Sequence, residues 1–329
     1  MDELQINESS AKTWSKLGPR ATYGLAMLDL VERNPKVIVA TADLGNSSGL
    51  ERLRKLYPER LLDVGIAEQN LIGVASGIAK EGFTVYASSF APFITMRASE
   101  QLRMNLGYME MDVKAVGIGS GLSMNFLGNS HFGLEDIAVV RAIPNIQIVS
   151  PADCTEVVKA INSISVSGQP TYLRLTGVPG TSSVNYSDYN FEIGRNIEFF
   201  SGSDLTILAS GTMVKTALEV AEKLSTKGIQ TGIVNCHTLR PFDIDHLFQL
   251  SHRTSRLVTI EEHFISGGLG TLVLETLNTL GIQIRLLRIG IAHTFDLSGN
   301  YDFLLKYHGL TTSSIIDEIE AFLRIESRP

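Results

Sequence analysis

Short apolar or β-branched runs return along this chain at intervals filled by amphipathic stretches, and that alternation restricts its fold more than any other feature. Lys36–Thr41, Thr84–Ser88, Val113–Ile118, Ile146–Val149 and Thr171–Leu175 read as strands. Strands that alternate with helix-length segments predict a doubly wound, mostly parallel α/β sheet. The helix over Ala21–Arg33 is expected to stop at Asn34-Pro35, because proline disfavours helical backbone in the residue before it. A stretch rich in Ser, Gly, Asn and Tyr, from Gly177 to Arg195, then interrupts the rhythm. It restarts with strands at Leu205–Ala209, Thr231–Asn235, Arg256–Ile260 and Ile284–Arg288 and helices at Val214–Lys227, Ile244–Ser251, Gly268–Leu280 and Ser313–Arg324. The expected organisation is a flexible tail over 1–17, an α/β domain over 18–180, a linker over 181–200 and a second α/β domain over 201–329.

Composition narrows the function classes. At 329 residues, 44% hydrophobic and 19% charged, the chain can bury two ordinary cores. Its formal net charge of −7, with no compensating Lys/Arg run, argues against a nucleic-acid footprint. Cys154 and Cys236 form no CxxC, so neither a disulfide framework nor a zinc site is expected, which suits a reducing cytoplasm. The polar segment Met1 to Lys16 lacks the apolar core of a secretory signal. No apolar run approaches the roughly 18 residues of a membrane span.

The first candidate for chemistry lies in Leu62-Asp63-Val64-Gly65-Ile66-Ala67-Glu68-Gln69-Asn70, where a carboxylate opens an apolar, Gly-spaced segment running to Ala79. Among Ile66, Ala67, Leu71, Ile72 and Val74, Glu68 is expected to be desolvated and suited to carrying a proton. A Glu at a helix start is also what the helix dipole favours, so the local residues leave both readings open.

Further blocks follow in order: ASSFAPFITMRASEQLR, GNSHFGLEDIAVVRAIPNIQIVSPAD, LRPFD and EEHFISGGLG. Together with LDVGIAEQN they make the chain, from about Arg20 to its end, resemble the C-terminal half of transketolase and of 1-deoxyxylulose-5-phosphate synthase. The resemblance implies a pyrimidine-binding domain followed by a transketolase C-terminal domain, thiamine diphosphate as cofactor with Mg²⁺, and transfer of a two-carbon ketol unit between sugars or sugar phosphates. Glu68 stands where the family places the carboxyl that makes the cofactor's aminopyrimidine basic. Ile66, Phe90, Phe93, Met96 and Asp43 stand at cofactor-facing positions, with Phe90 and Phe93 as a stacking wall for the pyrimidine. His131, in Gly128-Asn129-Ser130-His131, corresponds to a His that faces substrate oxygens, while Arg20 and Ser47 correspond to positions that grip a sugar phosphate. The remaining histidines, His237, His246, His252, His263, His293 and His308, share no metal-ligand spacing and are read as structural or solvated.

The chain also departs from the family. Gly119-Ser120 replaces a His-Asp pair, Leu127 replaces an acidic residue, and Leu175-Thr176-Gly177 stands where a second phosphate-binding Arg is expected. These changes point to an unusual ketose, or to a sugar carrying its phosphate or nucleotide elsewhere. No Gly-Asp-Gly occurs to hold the diphosphate's metal with carboxylate and carbonyl oxygens. The resemblance therefore implies the C-terminal subunit of a split transketolase. Its partner would be an N-terminal subunit carrying the diphosphate and Mg²⁺, and self-association would make an α2β2 assembly. Two other readings stay open: a decarboxylating ligase or 2-oxo acid dehydrogenase beta subunit with the same cofactor, and a noncatalytic scaffold that has kept the fold.

Overall fold

A computed structural model describes residues 4–295 and 297–324. The first half contributes strands β1 (Val37–Thr41), β2 (Leu61–Asp63), β3 (Thr84–Phe90), β4 (Val113–Ser120), β5 (Gln147–Val149) and β6 (Thr171–Thr176). The second contributes β7 (Ile197–Phe200), β8 (Leu205–Ala209), β9 (Thr231–Asn235), β10 (Thr238–Arg240), β11 (Arg256–Phe264) and β12 (Arg285–Ile291). One sheet has the order β10-β5-β6-β4-β3-β1-β2 and the other β12-β11-β8-β9-β7. Pairing is parallel except at one edge of each sheet, where β10 runs antiparallel to β5 and β7 antiparallel to β9. Two α/β domains with mostly parallel sheets are what the strand rhythm predicts.

Helices cover both faces of the first sheet. Tyr23, Met27 and Leu30 of the helix Pro19–Arg33 share a buried cluster with Val157 and Ile161 of the helix Cys154–Ser165. On the opposite face the helix Glu68–Lys80 presents Leu71, Ile72, Ala75 and Ala79, an i, i+3/i+4 stripe that locks its rotation against the sheet. Glu68 is the first member of that same stripe, so the burial of the apolar residues carries the carboxylate inward with them.

Two expectations need correction. The segment expected as a flexible tail contains a helix, Glu8–Leu17, capped by reciprocal Asn7 and Ser10 bonds. It docks through Ala11 and Trp14, which are buried, and its isolated tryptophan could not be assigned to a core before the partner surface was known. Gly18 then ends one helix and opens the next at φ +83°, where a Cβ would sit 2.9 Å from the Pro179 backbone. The last residues of the expected linker form β7, which completes the second sheet against β9. The rest of that linker is packed in place: Ser183 Oγ donates to Ala11 O, and Val184 and Asn185 N–H donate to Asp153.

The two domains are joined by buried polar contacts. Glu156 accepts from Ala152 N–H (2.7 Å), Tyr189 Oη (2.8 Å) and Asn235 Nδ2 (2.6 Å), the last on β9. Burial, and then the neighbouring Asp153 carboxyl, push the Glu156 carboxyl up to about 8 from an ordinary 4.5. A carboxyl raised in the fold contributes stability that is full below its unfolded value and is lost as pH rises through its folded one. Glu156→Gln is therefore expected to flatten the fall of Tm between about pH 4.5 and pH 8. Thermal scans across that window check it, and a slope identical to the unsubstituted chain would refute the assignment. Among the described residues no helix is long and apolar enough to cross a membrane.

Candidate active site

Because β1, β2, β3, β4 and β6 run parallel, the loops that leave them emerge along one edge of the sheet. The chain moves from β1 out to β2 and then back across to β3, so the strand order reverses between β1 and β3. In open α/β sheets the crevice at such a reversal is where ligands bind. Residues 42–49, 64–68, 91–97 and 121–133 meet there, and they carry most of the candidates.

Glu68 is 2% exposed. One carboxylate oxygen accepts from Ser89 Oγ of β3 at 3.1 Å and the other from Arg97 Nη1 at 2.9 Å. Each oxygen has a second lone-pair site, so the group can take a further donor. Arg97 lies 4.2 Å over the Phe93 ring, a cation–π contact that ties the ion pair to the aromatic wall. Phe93 meets Phe90 edge-on at 5.8 Å, and the His131 imidazole meets Phe90 at 5.5 Å and Phe93 at 5.1 Å. Phe93, Met96 and Arg97 belong to a π-helical turn, Phe93–Arg97, a local widening that recurs at functional sites. Thus Glu68, Phe90, Phe93 and His131 form one continuous group with Arg97 at its centre.

The other candidates fall around it. Ile66 and Met96 are exposed, at 76% and 48%. Asp43 follows β1 with φ +57° and donates its N–H to Asp63 Oδ1 at 2.8 Å. Asp63 also accepts from Gly65 N–H and Arg54, so it ties the loop after β1 to the loop that leads into Glu68. Arg20 and Ser47 line a separate hollow of about 400 Å³ with Asn46, Gly49, Gly177 and Pro179. Among the described residues no three His, Cys, Asp or Glu side chains converge as a metal-binding set.

Sequence reasoning missed Arg97, Ser89 and Asp63. Arg97 carried one local signal, its four-residue spacing from Phe93; Ser89 meets the Glu68 helix, and Asp63 meets the loop after β1 and the helix Glu51–Leu56, 9 to 21 residues away, beyond the reach of local periodicity.

Residues 15–177 match the transketolase pyrimidine-binding domain and residues 199–315 the transketolase C-terminal domain. The chain belongs to the transketolase family. It is 33% identical over 297 residues to the 6-deoxy-6-sulfo-D-fructose transketolase subunit SqwH of Clostridium sp., covering 90% of this chain and 92% of that one. An apulose-4-phosphate transketolase subunit of Actinobacillus succinogenes is 34% identical over 295 residues, covering 88% and 93%. A solved structure described as a split-gene transketolase, inactive beta4 tetramer, superposes with a TM-score of 0.84 at 36% identity, covering 93% of this chain and 98% of that one.

Within this transketolase fold the departures from the family pattern acquire physical content. Gly119 and Ser120 end a fully buried β4. Arg174, the cation nearest in sequence to the missing second anion grip, is buried and pairs with Asp136 at 2.8 Å, so it is engaged inside the protein.

Proposed function

We propose that this chain is the half of a split transketolase that holds the pyrimidine end of thiamine diphosphate and the sugar, and that it transfers a two-carbon ketol unit only with a separate diphosphate-binding subunit. The observation that carries this reading is the buried Glu68 carboxylate linked through Arg97 to the ring wall of Phe93, Phe90 and His131. These residues fit the aminopyrimidine: a buried acceptor with free lone pairs, beside aromatic faces. Bound thiamine diphosphate supplies a thiazolium that can stabilise a carbanion. Glu68 holds and moves the proton at the pyrimidine ring nitrogen, Phe90 and Phe93 stack on the ring, and Ile66, Met96 and Asp43 border it. His131 hydrogen-bonds substrate hydroxyls.

Arg20 and Ser47, with Asn46 beside them, hold a terminal anion on the ketose. Relatives named for a sulfonated and a phosphorylated sugar support an anionic substrate of this kind. Mg²⁺ and the diphosphate come with the N-terminal partner subunit, in an α2β2 assembly. A relative solved as a beta4 tetramer is described as inactive, which supports the need for that partner. The buried thiols of Cys154 and Cys236 fit a reducing cytoplasm.

The test is reconstitution. This chain and a co-expressed diphosphate-domain subunit are assayed separately and together for ketol transfer from phosphorylated, sulfonated and neutral ketoses, with thiamine diphosphate and Mg²⁺. Activity is expected only from the pair and is expected to favour anionic donors. Full turnover by this chain alone would overturn the proposal.

A further inference from the structure

The loop that carries His131 starts and ends on glycines that pair with each other. Gly121 N–H donates to Gly133 O at 2.9 Å, and Gly133 N–H donates to Gly121 O at 3.1 Å. Between them lie the exposed Phe126 and Leu127 and the half-buried His131. The base of this loop rests on the other domain. Glu262, near the end of β11, is 1% exposed, and one of its oxygens accepts from Leu122 N–H at 2.6 Å. Its other oxygen accepts from Thr212 Oγ1 at 2.8 Å and from Tyr301 Oη, both in the C-terminal domain. Gly121 has φ +65°, and a Cβ there would lie 2.2 Å from the Glu262 carboxylate, so this seat exists because the residue is glycine. Arg174 strengthens the base by donating to Gly133 O at 3.0 Å and to Glu262 O at 2.9 Å.

We infer that Glu262 is a positioning residue: through Leu122 N–H it holds the His131 loop against Phe90 and Phe93, so the C-terminal domain sets the substrate side of the site. The carboxylate meets three donors, one on Oε1 and two on Oε2, whereas its removal leaves the buried Leu122 N–H without an acceptor. A glutamine can keep the Leu122 bond, because the Thr212 and Tyr301 hydroxyls can turn to accept from an amide. The conservative variant therefore discriminates positioning from bulk. The consequence for turnover rests on the reading of His131 as substrate-facing; the loop anchorage does not.

Hydrogen exchange on this chain alone tests the anchorage, without any need for activity. Glu262→Ala is expected to speed exchange across residues 122–133 at least about 10-fold while β8 and β9 keep their protection, and Glu262→Gln to restore most of it. In the reconstituted enzyme, Glu262→Ala is expected to raise KM for the ketose more than it lowers kcat, with affinity for thiamine diphosphate unchanged. Unchanged exchange at Leu122–Gly133, or equal loss of protection throughout the C-terminal domain, would overturn the inference. If Glu262→Ala does not fold, Gly121→Ala carries the test from the other side, since its Cβ displaces the same carboxylate and must loosen the same residues. A chain whose loop responds as expected but which never transfers ketol units would refute the proposed function and leave the anchorage standing.

Discussion

Glu68→Gln is expected to lower kcat for ketol transfer by about 10²- to 10⁴-fold, the range that positioned proton transfer supplies. An amide keeps the shape and can still accept from Ser89, but it cannot carry the proton. The Arg97 pairing lost in this variant should cost little in the fold, because Arg97 is 47% exposed and water can solvate the guanidinium that the neutral amide no longer balances. The two effects therefore separate. Steady-state transfer by the reconstituted pair should collapse, while Tm, subunit association and cofactor binding stay close to those of the unsubstituted protein. Turnover within a few-fold of normal would remove Glu68 from the chemistry.

Asp136→Ala should show the opposite pattern, with its main effect on the fold. Asp136 and Arg174 are both buried, and Asp136 also accepts from Tyr172 Oη at 2.6 Å. Burial by itself pushes the Asp136 carboxyl up. The Arg174 guanidinium and then His263 outweigh it and hold the group below the usual carboxylate range. Removing the carboxylate leaves a guanidinium in the interior without its counter-charge, a defect worth about 3–5 kcal/mol. Denaturant titration should show that loss, and a shift below about 1 kcal/mol would mean that water reaches Arg174. The sign with pH follows from the lowered value. The pair's contribution is present above the ordinary Asp range and fades as pH falls below it.

Much of the first domain was legible because its strands are local facts. In the second, β8 and β9 likewise occupy the runs that their apolar and β-branched residues mark, and the helix Ile244–Ser251 begins at its Asp243 cap. β10 was not legible. Three residues, Thr238–Arg240, carry no strand pattern of their own, and they pair because β5, far earlier in the chain, presents an open edge. The helix Glu8–Leu17 escaped for a related reason: its polar composition hides a narrow apolar face, Ala11 and Trp14, that acquires meaning only against the surface it covers.

The site divides in the same way. The local residues singled out Glu68 as a candidate, and the resemblance of the blocks around Phe90, Phe93 and His131 to transketolase named the rest. The group that joins them, Arg97, emerged only when a π-helical turn brought its guanidinium over Phe93 and onto Glu68. Glu262 lies 140 residues from the Leu122 amide it holds, and no periodicity links such a pair. The sequence by itself determined the α/β class and the two domains, because hydrophobic period is a local quantity, and it marked Glu68 as the candidate acid. Tertiary structure alone decided which cation faces that acid and which domain anchors the His131 loop. Those contacts depend on the packing of two sheets, and packing fixes distances between residues that have no relation along the chain.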